Sequence, residues 1–425
     1  MRYSEFIGKP RFETGVQGIC YDFNDGVRIW LPKGNFHIKC TDLDTFTMHE
    51  EKNVETVGGG YVLYYDKSYY THWLVEIQKD GMPLCSFQSD LKDRNVTINF
   101  LKGNGLALGE FIGALTLIEK FRRKYQCNIF VVINHKYLEI SQRSYPDITF
   151  IAGKFDNLQK TYQQLPKDIY ATYNVSAEIC NIDETGNPTW FQPVDFRAEG
   201  CLRYIAGKLG LLDSILDVPC HTFQPSSNNC RTIKEPYVCI SGRGSEIKKE
   251  WNNTNGWAET VRYLKQLGYR VLCIDGDEIE KGSPLDKAVA EGLEDFTGYK
   301  PLQERVDLLY YADFLIGIGS GLSWLAWGTG KPVILISGFS LPFTEFYTPY
   351  RIINYDVCHG CYNNFALWHF QKQGESKGVL YQSMPCEVTG HYLECSRKID
   401  ARVVCRNIDK LMEDYNLLPP KDRAL

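Results

Sequence analysis

The stretch Gly317–Phe339, GIGSGLSWLAWGTGKPVILISGF, decides how the rest of the chain is read. An apolar run, Tyr311–Ile316, leads into three closely spaced glycines, Gly317, Gly319 and Gly321. A short apolar helix is expected over Leu322–Trp327 and, after Gly330-Lys-Pro332, a β-branched strand over Val333–Ile336. In a parallel sheet this order puts backbone N–H groups and a helix N-terminus at the carboxyl end of a strand. The first helical N–H groups lack partners there and the helix dipole is positive, so such a turn suits an anion. Taken alone the motif is equally a tight strand-to-helix turn with no ligand, and its surroundings decide between the two.

Upstream, Tyr237–Ser241 reads as a strand, Arg243–Glu250 as a loop and Gly256–Leu267 as a helix stopped by Gly268. Tyr269–Ile274 is a strand and Leu302–Tyr311 a helix. An earlier α/β unit opens with a strand over Val96–Leu101 and a turn over Lys102–Gly105. It continues with an amphipathic helix over Ala107–Tyr125 and a strand over Asn128–Ile133. His135–Ile140 follows that strand, and Phe150–Ala152 and Ile169–Tyr173 extend the pattern. Ala198–Leu212 reads as a helix and Ile215–Asn229 as a linker.

The first part is different. Val16–Tyr21, Val27–Leu31, Phe36–Cys40, Gly60–Tyr65 and Leu74–Gln78 are short strands parted by turn residues, which indicates a small antiparallel β domain. Its aromatics, Tyr61, Tyr64, Tyr65, Tyr69, Tyr70 and Trp73, are read as core ahead of an association surface. The expected organisation is therefore an N-terminal β domain (1–95) and two Rossmann-like domains (96–230 and 231–425). Two Rossmann-like halves around a crevice describe the GT-B glycosyltransferase architecture. Periplasmic binding proteins and several kinases share that outline, so the fold alone does not give a function.

Composition excludes several classes. The 425 residues are 44% hydrophobic and 23% charged with a net charge of −5, an ordinary globular balance with no basic run to engage nucleic acid. The opening MRYSEFIGKPRFETG has no apolar core to serve as a signal peptide, and no apolar run approaches the ~20 residues of a membrane span. A cytoplasmic location is the expectation. Of 15 cysteines, ten lie singly between Cys20 and Cys273 and are read as small buried hydrophobes; five crowd into the last part of the chain. Cys358 and Cys361 have the C-x-x-C gap that lets two thiolates reach one metal ion. Cys386 and Cys395 offer a second pair about 25 residues on. Four thiolates make a closed, structural site suited to zinc or iron, one per chain. Cys405, beside Val403 and Val404, is the spare and reads as core.

Several segments together resemble the bacterial autotransporter heptosyltransferases, relatives of the lipopolysaccharide heptosyltransferases. They are Gly317–Asn364, Ile19–Gly26, Lys248-Lys-Glu-Trp-Asn252 with Gly256-Trp257, and Glu394-Cys-Ser-Arg-Lys-Ile399. The likeness spans nearly the whole chain. It implies a GT-B enzyme that moves heptose from ADP-heptose to serine hydroxyls of an autotransporter adhesin, with bound iron and a dodecameric homo-oligomer. Against the family's L-G-D motif this chain has Leu108-Gly-Glu110, and against the lipopolysaccharide enzymes' D-T-G-x-x-H it has Gly319-Ser-Gly-Leu-Ser-Trp324, a change shared by the autotransporter branch. The distance from Cys361 to Cys386 is longer than the family's, which implies an inserted loop, and Trp368, His369 and Phe370 within it are read as surface filling.

Transfer from a nucleotide sugar needs a group to take the acceptor hydroxyl's proton, a group to stabilise the departing diphosphate and a pocket for the nucleotide. Glu110, early on its helix, is the expected base. Lys249 is expected at the diphosphate as a compact positive charge, with Lys248 left open beside it. Ser320, Gly321, Leu322 and Ser323 are expected at the phosphates, and Asp275 facing the nucleotide. Trp324 and Trp327 are read as core. The alternatives are a nucleotide-sugar-binding or scaffolding relative altered in catalysis, and a transferase of a different sugar. The stereochemical course is not written in the sequence.

Overall fold

The computed structural model describes residues 3–58, 60–66 (61–66 as backbone), 69–100, 107–154, 157–175, 199–212, 219–227, 231–363 and 389–423. The turn at Lys102–Gly105, Cys386 and Trp368–Phe370 lie outside these residues. The chain divides into two compact units. One comprises Met1–Leu106, Ala114–Glu178 and Tyr204–Ser214; the other Ala107–Gly113, Ile179–Arg203 and Ile215–Leu425.

The first unit holds twelve strands: β1 (Phe12–Glu13), β2 (Cys20–Asn24), β3 (Gly26–Leu31), β4 (Gly34–Asp42), β5 (Thr47–Thr56), β6 (Tyr61–Asp66), β7 (Trp73–Lys79), β8 (Met82–Gln88), β9 (Asn95–Asn99), β10 (Asn128–Asn134), β11 (Thr149–Gly153) and β12 (Ile169–Asn174). They make two sheets. A four-stranded antiparallel sheet, β5-β4-β7-β8, turns the alternate residues Phe36, Ile38 and Cys40 and, from β7, Trp73, Val75 and Ile77 inward. The other has eight strands in the order β11-β10-β9-β12-β2-β3-β6, with β1 on β2. It is parallel from β11 through β2 and antiparallel beyond. The antiparallel sheet expected within 1–95 is present, but it does not take in the whole of that region. β2 pairs in parallel with β12, so part of that region completes the sheet of the next, and only β4, β5, β7 and β8 form a sheet of their own. The buried Arg28 side chain fixes the junction from within, pairing with Asp22 at 3.1 Å and donating to the carbonyls of Ser4 and Gly8. Tyr70 packs on Phe121, Tyr125 and Tyr173, so that aromatic fills core as expected.

The second unit is built on β13 (Tyr237–Ser241), β14 (Arg270–Cys273), β15 (Leu293–Asp295), β16 (Leu315–Ile318), β17 (Val333–Ile336) and β18 (Arg351–Ile352). All pairs are parallel, in the order β15-β14-β13-β16-β17-β18. β13, β16 and β17 are buried along their whole length, which is why they read as unbroken apolar runs. The helix Gly256–Leu267 buries Trp257, Ala258, Val261 and Leu264 on one face and stops at Gly268, whose φ of +98° continues no helix. The helix Ala401–Asp414, capped by Asp400, adds Val404, Ile408 and Leu411 to the same core. Cys405 is half-buried on that helix and is not the core residue expected. Among the single cysteines, Cys40, Cys127, Cys201, Cys239 and Cys273 are buried as expected, whereas Cys20, Cys85 and Cys220 are half-buried. No described helix is long and apolar enough to cross a membrane.

Candidate active site

A parallel sheet sends every strand's carboxyl end to one edge. In the second unit β14, β13, β16 and β17 are consecutive neighbours there, and the residues that follow them line one cavity of about 410 Å³. Asp275–Asp277 follow β14, Arg243–Ser245 and Lys249 follow β13, Gly319–Leu322 follow β16, and Ser337, Phe339 and Ser340 follow β17. Ala107–Glu110, Cys201, Trp324, Thr344, Glu345 and Tyr362 complete the lining, all within the same unit.

Glu110 is brought in by two glycines. A Cβ on Gly109 would lie 2.5 Å from Trp324, and one on Gly321 would lie 2.8 Å from Leu108. The first turn of Leu108–Tyr125 therefore lies directly on the Gly321–Gly328 helix, and only glycine permits either contact. Burial pushes the Glu110 carboxyl up to about 7, against the opposing effects of a hydrogen bond from the Ala107 backbone and the charge of Lys249. A carboxyl held near neutrality takes and returns a proton readily.

Lys249 ends a short 3₁₀ turn, Ile247–Lys249, and its Nζ donates to Ser245 Oγ at 3.0 Å. It lines the cavity and Lys248 does not. The segment after Lys249 is anchored at a distance. Trp251 Nε1 donates to the carbonyl of Ile399 and Asn252 Nδ2 to Ser396 Oγ, at 3.1 and 2.9 Å. Lys248–Asn252 and Glu394–Ile399, apart in sequence, are therefore one joint in the fold.

Ser320 precedes the Gly321–Gly328 helix in extended backbone and makes no side-chain cap, and Ser320, Gly321 and Leu322 line the cavity. The Ser320 N–H, expected at the phosphates, instead donates to the Ile318 carbonyl at 2.6 Å, which leaves the N–H groups of Gly321 and Leu322 as the first of the helix without a helical acceptor. Ser323 does not line it; its buried hydroxyl donates to the carbonyl of Ile318 at 2.7 Å. Asp275 borders the cavity, but its carboxylate is occupied inward. It accepts from Ser241 Oγ and from the backbone N–H groups of Gly242 and Arg243, at 2.8, 3.0 and 3.1 Å. Burial still raises its pKa, and those hydrogen bonds oppose the rise. Trp324 and Trp327 pack with Phe346 and are 5% and 6% exposed, core as read, although Trp324 also touches the cavity. Glu345 escaped the sequence reading altogether. It is a single acid in Pro342–Tyr347, with no local pattern to single it out.

Gly338 meets both Gly360, inside the Cys358–Cys361 turn, and Cys395. The carbonyl of Gly338 accepts from Gly360 N at 2.9 Å, and a Cβ on Gly338 would meet the Cys395 carbonyl oxygen at 2.4 Å and its Cβ at 2.9 Å. None of the described cysteines is in a disulfide. Among the described residues no three His, Cys, Asp or Glu side chains stand ready to hold a metal, and the fourth expected thiol, Cys386, lies outside them.

A parallel sheet with an anion-ready helix start, a lysine and a near-neutral carboxyl along its carboxyl edge is the equipment of a nucleotide-sugar transferase, and residues 216–359 match the family described as glycosyltransferase family 9 (heptosyltransferase). Residues 15–81 match the N-terminal domain of the glycosyltransferase TibC. Over 424 residues, 99% of this chain and 100% of the relative, the sequence is 38% identical to the autotransporter heptosyltransferase Aah of Escherichia coli. The crystal structure of TibC from enterotoxigenic E. coli, a bacterial iron-containing dodecameric glycosyltransferase, is 34% identical and superposes with a TM-score of 0.74 over 96% of this chain and 100% of that one. A protein of Burkholderia thailandensis named an inactive autotransporter heptosyltransferase, BimC, is 30% identical over 93% of this chain and 86% of its own length. The fold is that of the GT-B-like family 9 glycosyltransferases. The chain belongs to the autotransporter heptosyltransferases.

Proposed function

We propose that this protein transfers heptose from ADP-heptose to serine hydroxyls of an autotransporter adhesin, in the cytoplasm of a bacterium and before the adhesin is exported. The observation that carries this reading is the meeting of Glu110, Lys249 and the uncapped start of the Gly321–Gly328 helix around one cavity. The donor is taken from TibC, a relative whose structure is also known in complex with ADP-D-β-D-heptose. Residues 231–425 form the nucleotide-sugar domain in this reading. Glu110, ionised, accepts the serine Oγ proton as that oxygen attacks the anomeric carbon. The bond from that carbon to the diphosphate oxygen breaks, and ADP leaves with its negative charge met by Lys249 and by the N–H groups of Gly321 and Leu322. Asp275 serves the nucleotide indirectly, by holding the backbone of Gly242 and Arg243.

Iron belongs to the same proposal. A set of thiols suits iron or zinc, and Gly338 brings the Cys358–Cys361 turn and the Cys395 segment side by side. Cys358, Cys361, Cys386 and Cys395 would hold it. Bound there, the metal supplies a structural cross-link and no reactive step. The dodecamer of TibC is proposed for this chain too. Metal analysis of purified protein is expected to give iron at one per chain, and absence of stoichiometric metal removes the site.

The test of function is mass spectrometry of an adhesin passenger co-expressed with this protein. Heptose-mass additions on serine are expected. Additions of another mass reassign the donor. A passenger left unmodified by a protein that still binds ADP-heptose places the chain with relatives like BimC, which have lost activity.

A further inference from the structure

We infer that Glu345 reads the hydroxyls of the transferred sugar and is the residue that makes this pocket specific for its donor over free ADP. The inference rests on the nucleotide-sugar reading of the cavity given above. Glu345 is held from behind. Its Oε2 accepts from Arg351 Nη2 at 2.7 Å and its Oε1 from Ser340 Oγ at 2.7 Å, and the side chains of Glu345 and Arg351 are only 9% and 8% exposed. The same Arg351 nitrogen also donates to Ser337 Oγ and to the carbonyls of Ser340 and Leu341, so the clamp is part of the loop after β17. A carboxylate has about four acceptor positions, and these two hydrogen bonds leave about half of them for a ligand on the cavity side.

The carboxyl is also seated at the glycine turn. A Cβ on Gly319 would lie 2.6 Å from Glu345 Oε1, so the acid fills the space beside the backbone just ahead of the helix start proposed for the phosphates. Within the sheet order β14-β13-β16-β17, Glu345 belongs to the β17 end and Asp275 to the β14 end, with the helix start after β16 between them. Cys201, buried at the cavity wall, feels both Glu110 and Glu345. Its thiol is raised by burial first and then by the charges of those two carboxyls. Glu345 therefore shares the cavity wall with the proposed base, Glu110, on the other side of the helix start from Asp275, and we place the transferred sugar there. A buried, pre-oriented carboxylate with spare acceptor positions recognises paired hydroxyls, and at this end they belong to the sugar being transferred.

The experiment is calorimetric binding of ADP and of ADP-heptose to the full-length protein, to Glu345→Gln and to Glu345→Asp. The glutamine variant keeps the shape and removes the charge; the aspartate variant keeps the charge and withdraws it by one methylene. ADP-heptose affinity is expected to fall about 10- to 100-fold in Glu345→Gln and less in Glu345→Asp, with ADP affinity within about twofold of the parent, which also shows that the pocket remains folded. Unchanged ADP-heptose affinity in both variants overturns the assignment. An equal loss for ADP and ADP-heptose in both variants overturns it too, by placing Glu345 at the ribose or in the scaffold. If the unsubstituted protein binds neither compound, the nucleotide-sugar reading itself falls and takes this inference with it.

Discussion

Asp275 and Glu110 border the same cavity from different elements, and their surroundings give them different work. Asp275 stands at the end of β14 with four donors, Ser241, Gly242, Arg243 and the Cys273 thiol, drawn onto its carboxylate. Those hydrogen bonds favour its ionised form and commit it to shaping the turn after β13. Glu110 comes from the first turn of a helix, under Trp324, with burial holding its proton to about 7. An acid whose acceptors are spent on the backbone is scaffold. An acid kept near neutrality with its carboxyl on the cavity is equipped for proton transfer. Being in a pocket does not separate the two; the hydrogen-bond inventory does.

The comparison is easiest to break at Glu110. Glu110→Gln is expected to lower kcat about 10²–10⁴-fold with an unchanged melting temperature. Near-normal turnover in the folded variant removes Glu110 from the chemistry. Lys249→Ala is next, with kcat/KM for ADP-heptose falling about 10²-fold in steady-state kinetics; a loss as large in Lys248→Ala would overturn the choice between the two lysines. Asp275→Ala is expected to show its effect in a thermal melt. Each buried donor left without an acceptor costs about 1–3 kcal/mol. If this variant loses turnover and keeps its melting temperature, Asp275 is more than scaffold.

The smallest effect is the most diagnostic. Glu110 must be ionised to accept a proton, and burial favours its protonated form, so kcat/KM is expected to rise with pH through about 7 and level off above. Lys249 favours the ionised form, so removing it should move that midpoint upward. A midpoint that stays put in Lys249→Ala would show that the two charges do not communicate.

Much of the second unit was legible in the sequence because its signals are local. Continuous apolar runs marked β13, β16 and β17, Gly268 marked a helix end, and the glycines from Gly317 to Gly321 marked the turn between β16 and the Gly321–Gly328 helix. What escaped depends on partners far along the chain. β5, with Glu50, Glu51, Lys52 and Asn53, has no apolar face and exists as a strand because β4 supplies its hydrogen bonds. The helix Pro284–Val289 and the three-residue strand β15 are too short to show a period. The joining of β2 to β12 links segments about 150 residues apart. Glu345 draws its meaning from Arg351 on one side and Gly319 on the other, and neither neighbour is visible until the chain is folded. That Lys249 lines the cavity and Lys248 does not likewise needed three dimensions, since adjacent residues of a 3₁₀ turn point different ways.

The joint between Trp251–Asn252 and Ser396–Ile399 makes two distant segments a single heritable part. Asn252 donates to Ser396 through both its backbone and its side chain, and Trp251 to Ile399, across 144 and 148 positions of sequence. A chimera that takes Lys248–Asn252 from one family member and Glu394–Ile399 from another would inherit two halves of a lock cut for different keys. Substitutions at one segment should therefore persist in descendants only alongside matching changes in the other, so that the lysine loop and the cysteine segment diversify together although nothing in the chain's linear order connects them.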